Sequence, residues 1–380
     1  MQFSSLGLSE PLLRSLASQK FEQPFPIQQE AIPAILAGKD IFGVAQTGSG
    51  KTAAFVLPIL ELLQKAGPAK SRYIKVLVLV PTRELAAQVA DVFKEFSNGL
   101  SRRINTLAVY GGVSINPQMM ALASAEIVVA TPGRLLDLVS SNAVHLSAVE
   151  MLVLDEADKI LNLGFQEEID KIFALLPPRR QNVLFSATIG DDVRNIKETL
   201  LRDPLLIEVG EENQQHELIS QVAYLVAPER KGPLLRYLIK QHNMQQVLVF
   251  TSSIRTADNL VGKLSKNGIQ ASSLHSQKSQ GARTEVLQKF KTGKLRVLIA
   301  TDLASRGIDI EKLPYVINFE LPRSPKDYVH RIGRTGRASA KGEAITIITA
   351  EDQHHFGVIQ KKMGKKVSIV ETDDLDLKGY

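Results

Sequence analysis

Short runs of apolar residues recur along the first half of the chain, with helix-like stretches between them. The runs lie at residues 41–44, 76–80, 127–129, 151–154 and 183–185. Apolar residues at helical spacing occur between the runs, at residues 53–63, 84–96 and 165–176. Apolar strands that alternate with helices are typical of a parallel sheet with helices on both faces. The pattern therefore predicts an α/β domain.

The same alternation restarts after a polar stretch at residues 210–217. Strand-like runs follow at residues 247–250, 295–299, 315–319 and 344–348, and helical spacing appears at residues 256–266 and 282–290. We predict a second α/β domain, although no close sequence repeat is present. The expected boundaries are 1–209 for the first domain, 210–217 for a linker, 218–367 for the second domain and 368–380 for an acidic tail, of which residues 371–380 are expected to be frayed.

The composition agrees with a folded protein of two domains. Of the 380 residues, 44% are hydrophobic and 23% are charged, which is typical of a globular chain. The net charge of +6 favours a polyanionic partner, although charge alone is weak evidence. The absence of cysteine excludes disulfides, thiol catalysis and cysteine-bound zinc. The apolar runs are too short to span a membrane and residues 1–10 lack a signal-peptide pattern, so we expect a cytoplasmic protein.

A glycine-rich segment, AQTGSGKT at positions 45–52, lies between the first predicted strand and an apolar helix. It is a short relative of the G-x-x-x-x-G-K-[ST] phosphate loop, in which glycines let backbone N–H groups approach phosphates. By this pattern Lys51 would reach the β- and γ-phosphates, and Thr52 would bind Mg²⁺. The N-terminus of the following helix also favours anions. Taken by itself, the segment has an alternative interpretation as a glycine-rich turn with a chance lysine.

The acidic run Asp155-Glu156-Ala157-Asp158 follows the apolar residues 151–154. A carboxylate at a strand end fits a place for Asp155 in the Mg²⁺ shell, and Glu156 fits the base or positioning group for attacking water. Such runs are more often a solvated turn or a helix N-terminus. The phosphate loop and the strand-end position favour the catalytic interpretation. Together the two segments predict a protein that binds and hydrolyses a nucleoside triphosphate.

Other polar segments also begin where apolar runs stop. They are residues 81–84, 131–134, 186–188 and, in the second half, 301–302. In open parallel α/β sheets, ligands bind outside the carboxyl ends of the strands. Two such sheets with their polar edges facing each other would form a cleft.

These segments, in this order, resemble the motifs of DEAD-box ATP-dependent RNA helicases, which are superfamily 2 proteins with two RecA-like domains. The resemblance extends from about residue 3 to the mid-360s, and within the family the chain is most similar to bacterial RhlE-type proteins. The matching segments are Phe21 with Pro26-Ile27-Gln28-Gln29, AQTGSGKT, PTRELAAQ at 81–88, Gly111-Gly112, TPGR at 131–134, DEAD, SAT at 186–188, TDLASRGID at 301–309 and HRIGRTGR at 330–337.

The resemblance implies that ATP and Mg²⁺ are the ligands of the first domain. Stacking on Phe21 and hydrogen bonding to Gln28 would recognise adenine, although by composition alone these residues suit a core position and a surface helix. The implied metal contacts are Thr52 and Asp155. The implied nucleotide contacts are Phe21, Gln28, Gln46, Thr47, Gly48, Ser49, Gly50, Lys51, Thr52, Gly307 and Asp309, with Asp309 at the ribose.

The second half supplies cations that phosphoryl transfer requires. An arginine finger is worth on the order of 10³ to 10⁵ in rate, and the resemblance gives that role to Arg334 and Arg337. It also implies that His330 couples Asp158 with the segment Ser186-Ala187-Thr188. Without the resemblance, a solvated basic face and a structural histidine would be the usual interpretations of these residues.

The resemblance also implies contacts with RNA through its backbone, independent of sequence. The candidates are Arg83, Gly112, Thr131 and Arg134 in the first half, and Ser252, Arg283 and Thr301 in the second. For each of them an ordinary cap or turn residue is an equally common interpretation. Ser276 stands where the family usually has glycine after the histidine at 275, and Thr251-Ser252-Ser253 is one variant of a loosely defined motif. These departures leave open the contacts near residues 251–253.

We therefore expect an RNA-stimulated ATPase that couples ATP binding and hydrolysis to local unwinding of RNA duplexes. One alternative is an ATP-gated RNA clamp or assembly platform in which unwinding is incidental. Another is a translocating helicase that acts on DNA. The sequence identifies neither a specific RNA nor protein partners, and it leaves the oligomeric state open.

Overall fold

The computed structural model describes residues 2–45, 48–66, 72–209, 219–302, 310, 313–336 and 342–380. The chain divides into two compact units, Met1–Glu211 and Glu212–Tyr380. Each unit is built around its own parallel sheet of seven strands. The predicted fold class, two tandem RecA-like α/β domains, is confirmed.

The first unit alternates strands with helices from its amino end onward. Its strands are β1 Ile41–Val44, β2 Val76–Leu79, β3 Thr106–Val109, β4 Ile127–Ala130, β5 Met151–Leu154, β6 Gln181–Ser186 and β7 Leu205–Glu208. Its α-helices are α1 Glu10–Ser18, α2 Pro26–Leu36, α3 Lys51–Lys65, α4 Arg83–Ser97, α5 Asn116–Ala121, α6 Pro132–Ser140, α7 Ala157–Asn162, α8 Gln166–Leu175 and α9 Asp191–Leu200. Short 3₁₀ helices cover Phe3–Leu6 and Leu122–Ser124.

The second unit repeats this alternation. Its strands are β8 Ile219–Leu225, β9 Val247–Thr251, β10 Ala271–Leu274, β11 Val297–Thr301, β12 Tyr315–Asn318, β13 Gly342–Ile348 and β14 Ser368–Glu371. Its described α-helices are α10 Lys231–Gln241, α11 Ile254–Lys266, α12 Gln280–Lys291, α13 Pro325–Ile332 and α14 Gln353–Met363, and a 3₁₀ turn covers Pro228–Arg230.

The two sheets have the same strand order. The first sheet runs β3-β4-β2-β5-β6-β1-β7, and the second runs β10-β11-β9-β12-β13-β8-β14. Counted from the first strand of each sheet, the two sequences of neighbours are identical. The units therefore share one topology, although their sequences show no close repeat.

Alternating side chains of each central strand enter cores on opposite faces of the sheet. In β2, Val76 and Val78 belong to one buried cluster, whereas Leu77 and Leu79 belong to the other. Successive side chains of a strand point to opposite faces, so a strand covered on both sides must be apolar throughout. This double burial explains why the central strands were visible in the sequence.

The strands that the apolar pattern missed lie at or next to the sheet edges. They are β3, β7, β8, β10 and β14. Their side chains are partly exposed, and all four residues of β14 are exposed. An edge strand tolerates polar residues because one side faces solvent, so its sequence lacks a continuous apolar run.

The carboxyl-terminal residues pack against the second unit, and the prediction of a frayed tail is wrong. Strand β14 pairs in parallel with β8, and the Thr372 hydroxyl donates to the Leu225 carbonyl oxygen at 2.7 Å. Leu377 is buried in the core, and the ring of Tyr380 packs edge-on against Tyr237. Apolar residues at intervals within the acidic segment anchor it, which the net acidity concealed.

Candidate functional site

Six polar segments of the first unit lie at the same edge of its sheet, the edge that is formed by the carboxyl ends of the strands. They follow strands β1 to β6, and because the strands are parallel, all six carboxyl ends meet at this edge. The sheet order separates them into two neighbouring groups. The phosphate loop and the segments beginning at Asp155 and Ser186 follow β1, β5 and β6, whereas the segments containing Arg83, Gly112 and Thr131 follow β2, β3 and β4.

The phosphate loop ends in a glycine that no other residue can replace without strain. Gly50 has φ 87° and is the N-cap of α3, and Gly48 also has a positive φ, 83°. A Cβ atom on Gly50 would lie 2.5 Å from the Gln28 amide nitrogen and 2.8 Å from Cδ2 of Phe25. Glycine is therefore required here both for its backbone conformation and for space.

Lys51 begins α3 and is buried. Its Nζ donates to the Ala45 carbonyl oxygen at 2.8 Å, so the ammonium is held at the residue that follows β1. Thr52 follows at the second position of the helix and is half-buried. This arrangement of a helix N-terminus, glycines and an ammonium suits a phosphate chain. The predicted contacts Gln46 and Thr47 lie outside the described residues.

Gln28 lies against the phosphate loop. Its Nε2 donates to the Gly50 carbonyl oxygen and its Oε1 accepts the Phe25 N–H, both at 3.0 Å. Phe21 is half-buried and packs edge-on against Phe3 and Phe96, with ring centroids 6.4 and 5.5 Å apart. The structure thus places Gln28 next to the loop. Adenine recognition by Phe21 and Gln28 stays a prediction.

Sequence reasoning passed over Phe25, which caps α2 without a side-chain acceptor. The residue is 47% exposed, and its Cδ2 would lie 2.8 Å from a Cβ atom on Gly50. An aromatic residue at an N-cap, where Ser, Thr or Asp is preferred, was the available signal.

The acidic residues Asp155 and Glu156 form a compact buried group at the end of β5. Asp155 Oδ1 accepts the N–H of Glu156 at 2.9 Å, and Glu156 adopts a left-handed backbone with φ 53° and ψ 46°. The left-handed region is sparsely populated by non-glycine residues and occurs frequently at functional sites. Both predicted catalytic carboxylates are therefore adjacent and shielded from water.

Burial raises the pKa of the Asp155 carboxyl from its ordinary 3.8 to about 6; the charge of Lys51 opposes this shift, and the charge of Glu156 contributes to it. A divalent cation would favour the ionised carboxylate that burial disfavours, and Mg²⁺ prefers oxygen ligands. Asp155 and the hydroxyl of Thr52 thus fit the Mg²⁺ site that the sequence predicts.

Asp158 is hydrogen-bonded to the segment at the end of β6, whereas its predicted coupling through His330 stays a prediction. Its Oδ2 accepts the Thr188 hydroxyl at 3.1 Å, and its Oδ1 accepts the Ala187 N–H at 3.4 Å. The buried Ser186 hydroxyl donates to the Thr188 carbonyl oxygen at 2.7 Å, which shapes the turn. Two strand-end segments are thereby joined into one unit.

The residues predicted to contact RNA in the first unit lie beside one another. The guanidinium of Arg83 covers Gly112, because a Cβ on Gly112 would lie 2.0 Å from Arg83 Nη1. Arg134 Nη2 donates to the Val113 carbonyl oxygen at 3.0 Å, and Thr131 caps α6. The Arg134 side chain is only 10% exposed, and its Nε lies 3.5 Å from Asp137 Oδ2. The ends of β2, β3 and β4 thus bring two arginines and a glycine turn together.

Sequence reasoning missed Gln118, which supports this glycine turn. Its Oε1 accepts the Tyr110 N–H at 3.1 Å, and its Nε2 donates to the carbonyl oxygens of Tyr110 and Ser114 at 3.2 and 3.4 Å. The side chain is buried within α5. A lone glutamine gives no signal in one sequence, because its role depends on contacts with residues beyond its own helix turn.

Arg331, on α13 of the second unit, bonds to several strand ends, and sequence reasoning gave it no role. It makes a bidentate pair with Asp302, at 2.6 and 2.7 Å, and donates to Asn318 Oδ1 and the Glu320 carbonyl oxygen. Its guanidinium lies 4.9 Å from the centre of the Phe250 ring. Arg331 therefore ties the ends of β9, β11 and β12 to α13.

The other site residues predicted for the second unit lie on several different elements. His330 lies on α13 and is half-buried, Arg334 is buried just after that helix, and Thr301 ends β11. Arg283 is also buried, and its Nη1 donates to the His275 carbonyl oxygen at 3.1 Å.

The remaining predictions for the second unit fall at an exposed turn or outside the description. Ser252 is exposed, and its N–H donates to Glu320 Oε2 at 2.5 Å. The predicted contacts Gly307, Asp309 and Arg337 lie outside the described residues.

The phosphate loop and the acidic run both lie at the carboxyl ends of strands of one parallel sheet. This combination is typical of P-loop nucleoside triphosphatases. The comparisons with known proteins identify which class it is. The DEAD/DEAH box helicase family matches residues 25–196, and the conserved C-terminal helicase domain matches residues 230–339. The chain belongs to the DEAD-box family of ATP-dependent RNA helicases.

Individual relatives support the family over nearly the whole chain. The ATP-dependent RNA helicase CshA of Listeria monocytogenes is 39% identical over 376 residues, which cover 99% of this chain and 71% of that protein. The DEAD-box helicase RhpA of Helicobacter pylori is 37% identical, with 97% and 74% covered. The narrower resemblance to RhlE-type proteins stays a prediction.

Solved structures agree with the fold. The Saccharomyces cerevisiae Dbp5 structure with RNA and ADP BeF3 is 32% identical and has a TM-score of 0.85, covering 98% of this chain and 96% of that one. A DEAD box protein from Methanococcus jannaschii is 37% identical with a TM-score of 0.55, covering 97% and 99%. Within the part of the chain that the structure describes, no helix is both long and apolar enough to cross a membrane.

Proposed function

We propose that this RNA helicase separates short duplexes locally and without sequence preference, using ATP binding and hydrolysis at the strand ends of its first unit. One observation supports this best. The segments predicted to bind the nucleotide, called here the nucleotide group, follow the contiguous strands β5, β6 and β1. The segments predicted to contact RNA, called here the RNA group, follow the contiguous strands β3, β4 and β2. The two groups meet between β2 and β5, so a change at the phosphates can reach the RNA surface through adjacent strands.

The nucleotide group provides the chemistry of hydrolysis. The phosphate chain would lie along the N–H groups of the glycine loop, with Lys51 at the β- and γ-phosphates and Glu156 orienting the attacking water. Thr52 and Asp155 would hold Mg²⁺, which would neutralise phosphate charge. Phe21 and Gln28 would select adenine. From the second unit, Arg334 and Arg337 would stabilise the transition state, with Gly307 and Asp309 at the nucleotide.

The RNA group is suited to the phosphate backbone. Arg83, Arg134 and the turn at Gly112 present guanidinium and backbone groups, which bind phosphates and carry no base identity. Ser252, Arg283 and Thr301 would add contacts from the second unit. Selection of RNA over DNA would then depend on 2′-hydroxyl contacts.

Asp158, Thr188 and His330 would couple ATP hydrolysis to the binding and unwinding of RNA. The hydrogen bond between Asp158 and Thr188 joins the segment that contains Glu156 to the segment after β6. A rearrangement of either segment on hydrolysis would alter the other. The cytoplasmic location expected from the sequence stays a prediction.

An unwinding assay on RNA and DNA duplexes of increasing length tests the proposal. Local unwinding should release a strand from short RNA duplexes and fail progressively as the duplex lengthens. Length-independent unwinding would indicate translocation, and hydrolysis without strand release would indicate a clamp. Equal activity on DNA would contradict RNA selection.

Binding measurements test the coupling of the two ligands. A non-hydrolysable ATP analogue should raise RNA affinity, and RNA should raise analogue affinity by the same factor, because linkage is reciprocal. RNA affinity that is unchanged by the analogue would contradict coupling while leaving the ATPase assignment intact.

A further inference from the structure

The side chain of Lys159 forms an ion pair with Glu156 inside the first unit. Helix α7 begins directly after Glu156, and one turn later the Lys159 ammonium lies 2.6 Å from Glu156 Oε1. Only 11% of the lysine side chain and 6% of the glutamate side chain are exposed. Residues at this spacing share a face of a helix, so the contact follows from their separation.

This pair differs from ion pairs of similar spacing elsewhere in the first unit. Lys94 and Asp91 on α4 are 3.0 Å apart, but 57% and 64% of their side chains are exposed. An exposed pair adds little stability. A buried pair loses much of its attraction to desolvation, so it is weak evidence for a purely stabilising role. The position of Lys159 beside the predicted catalytic carboxylate favours a functional role.

The two oxygens of the Glu156 carboxylate differ in their hydrogen bonding. Oε2 is buried and has no hydrogen-bond partner among the residues that the structure describes, whereas Oε1 accepts a hydrogen bond from the Lys159 ammonium. A buried acceptor without a partner is costly and is expected to serve a ligand, a water or a reaction. The left-handed backbone of Glu156 helps to fix the direction of this side chain.

We propose that Lys159 is a positioning residue for ATP hydrolysis. Its ammonium holds Oε1 of Glu156, so that Oε2 faces the attacking water as a hydrogen-bond acceptor. The water oxygen forms a bond to the γ-phosphorus while the bond between that phosphorus and the bridging oxygen of ADP breaks. The proton released by the water passes to Oε2, and Lys159 keeps its protons throughout. This inference rests on the hydrolytic role of Glu156 in the proposed function.

Substitution of Lys159 tests the role directly. Lys159→Met keeps much of the apolar stem but removes the ammonium. It should lower the RNA-stimulated kcat roughly ten- to a hundredfold, as expected for a misplaced catalytic group. The KM for ATP and the Kd of a fluorescent non-hydrolysable analogue should change less than about twofold, because binding does not use Oε2. Lys159→Arg should restore most of the activity.

Two further variants separate positioning from general stability. Lys94→Met removes the exposed pair of the same helical spacing and should leave kcat unchanged. In a Glu156→Gln background, Lys159→Met should cause no additional loss of kcat, because the two residues act as one unit. Thermal unfolding of each variant establishes that the measured proteins are folded.

Several outcomes would overturn the proposal. A higher RNA-free turnover in Lys159→Met would mean that the pair restrains Glu156 instead of positioning it. An unchanged kcat, a parallel loss of analogue binding, or a further loss in the Glu156→Gln background would each contradict a positioning role. Failure of the wild-type protein to hydrolyse ATP would instead refute the proposed function itself.

Discussion

The side-chain amide of Gln28 donates a hydrogen bond to the carbonyl oxygen of Gly50 at 3.0 Å. The same side chain accepts the backbone N–H of Phe25, so its orientation is fixed by a donor on one side and an acceptor on the other. The residue predicted to recognise the base is therefore attached to the loop predicted to hold the phosphates. Nucleotide recognition and loop conformation should respond together when this side chain is changed.

Gln28→Ala should raise the KM for ATP roughly tenfold and reduce the preference for ATP over GTP, because buried hydrogen-bonding groups lose their partners. Steady-state turnover with each nucleotide measures both effects. Gln29→Ala, on the same helix, is the matched control, since its amide donates to the Pro24 carbonyl oxygen just before α2 begins. Comparable use of ATP and GTP by the wild-type protein would contradict adenine recognition.

Glu156→Gln should reduce kcat by at least about a hundredfold while ATP and RNA still bind. The substitution keeps the shape of the side chain and removes the charge that accepts a proton. Single-turnover hydrolysis and equilibrium binding separate the two effects. Glu167→Gln on α8, which changes an exposed glutamate, should have no effect. Wild-type turnover in the first variant would exclude Glu156 as the base.

Thr188→Val should reduce the unwinding rate about fivefold or more, while ATP turnover stays within about twofold. The change removes the hydroxyl that donates to Asp158 but leaves Lys51, Asp155 and Glu156 in place. Parallel ATPase and strand-release assays measure the ratio. Thr199→Val is the control, because that hydroxyl bonds within its own helix. An equal fall in both activities would contradict a coupling role.

Arg83→Ala should weaken RNA binding and make it less dependent on salt. With about five phosphates neutralised, the slope of log K against log salt should be roughly −3.5 for the wild type, and loss of one contact should reduce it by about 0.7. Fluorescence anisotropy across a salt series measures the slope. Arg194→Ala, on the exposed surface of α9, should leave it unchanged. An unchanged slope in Arg83→Ala would remove this residue from the RNA surface.

Asp155→Asn should stabilise the nucleotide-free protein, and the gain should depend on pH. Burial raises the pKa of Asp155 from 3.8 to about 6, so the folded state binds the proton more tightly than the unfolded state. The wild type should therefore lose stability relative to the variant as pH rises from about 4 to 6, with a constant difference above that range.

Chemical denaturation in a chelator, without nucleotide, measures this difference. The control is Asp170→Asn on α8, where the carboxylate accepts from the exposed Gln166. If the free energies of unfolding of the wild type and Asp155→Asn approach each other as pH rises, burial does not disfavour the ionised form of Asp155. That result would also remove the electrostatic reason for placing a cation beside it.

The C-terminal segment and the edge strands show where local sequence patterns fail to predict the structure. The central strands were visible because both faces are covered, so nearly every residue is apolar. Strand β14 is fully exposed, and its place beside β8 is set by pairing with a distant segment. The acidic charge of the last residues predicted fraying, whereas Leu377 and Tyr380 anchor them in the second unit.

The sequence by itself determined the features that depend on neighbouring residues. Strand and helix periodicity, the glycine loop before a helix and the carboxylates after a strand are all local, and their order along the chain identified the family. The tertiary structure alone decided the contacts between distant segments, including the identical order of the two sheets, the bond from Gln28 to Gly50 and the pair formed by Arg331 with Asp302. Such contacts depend on how strands are ordered in space, and a single sequence contains no record of that order.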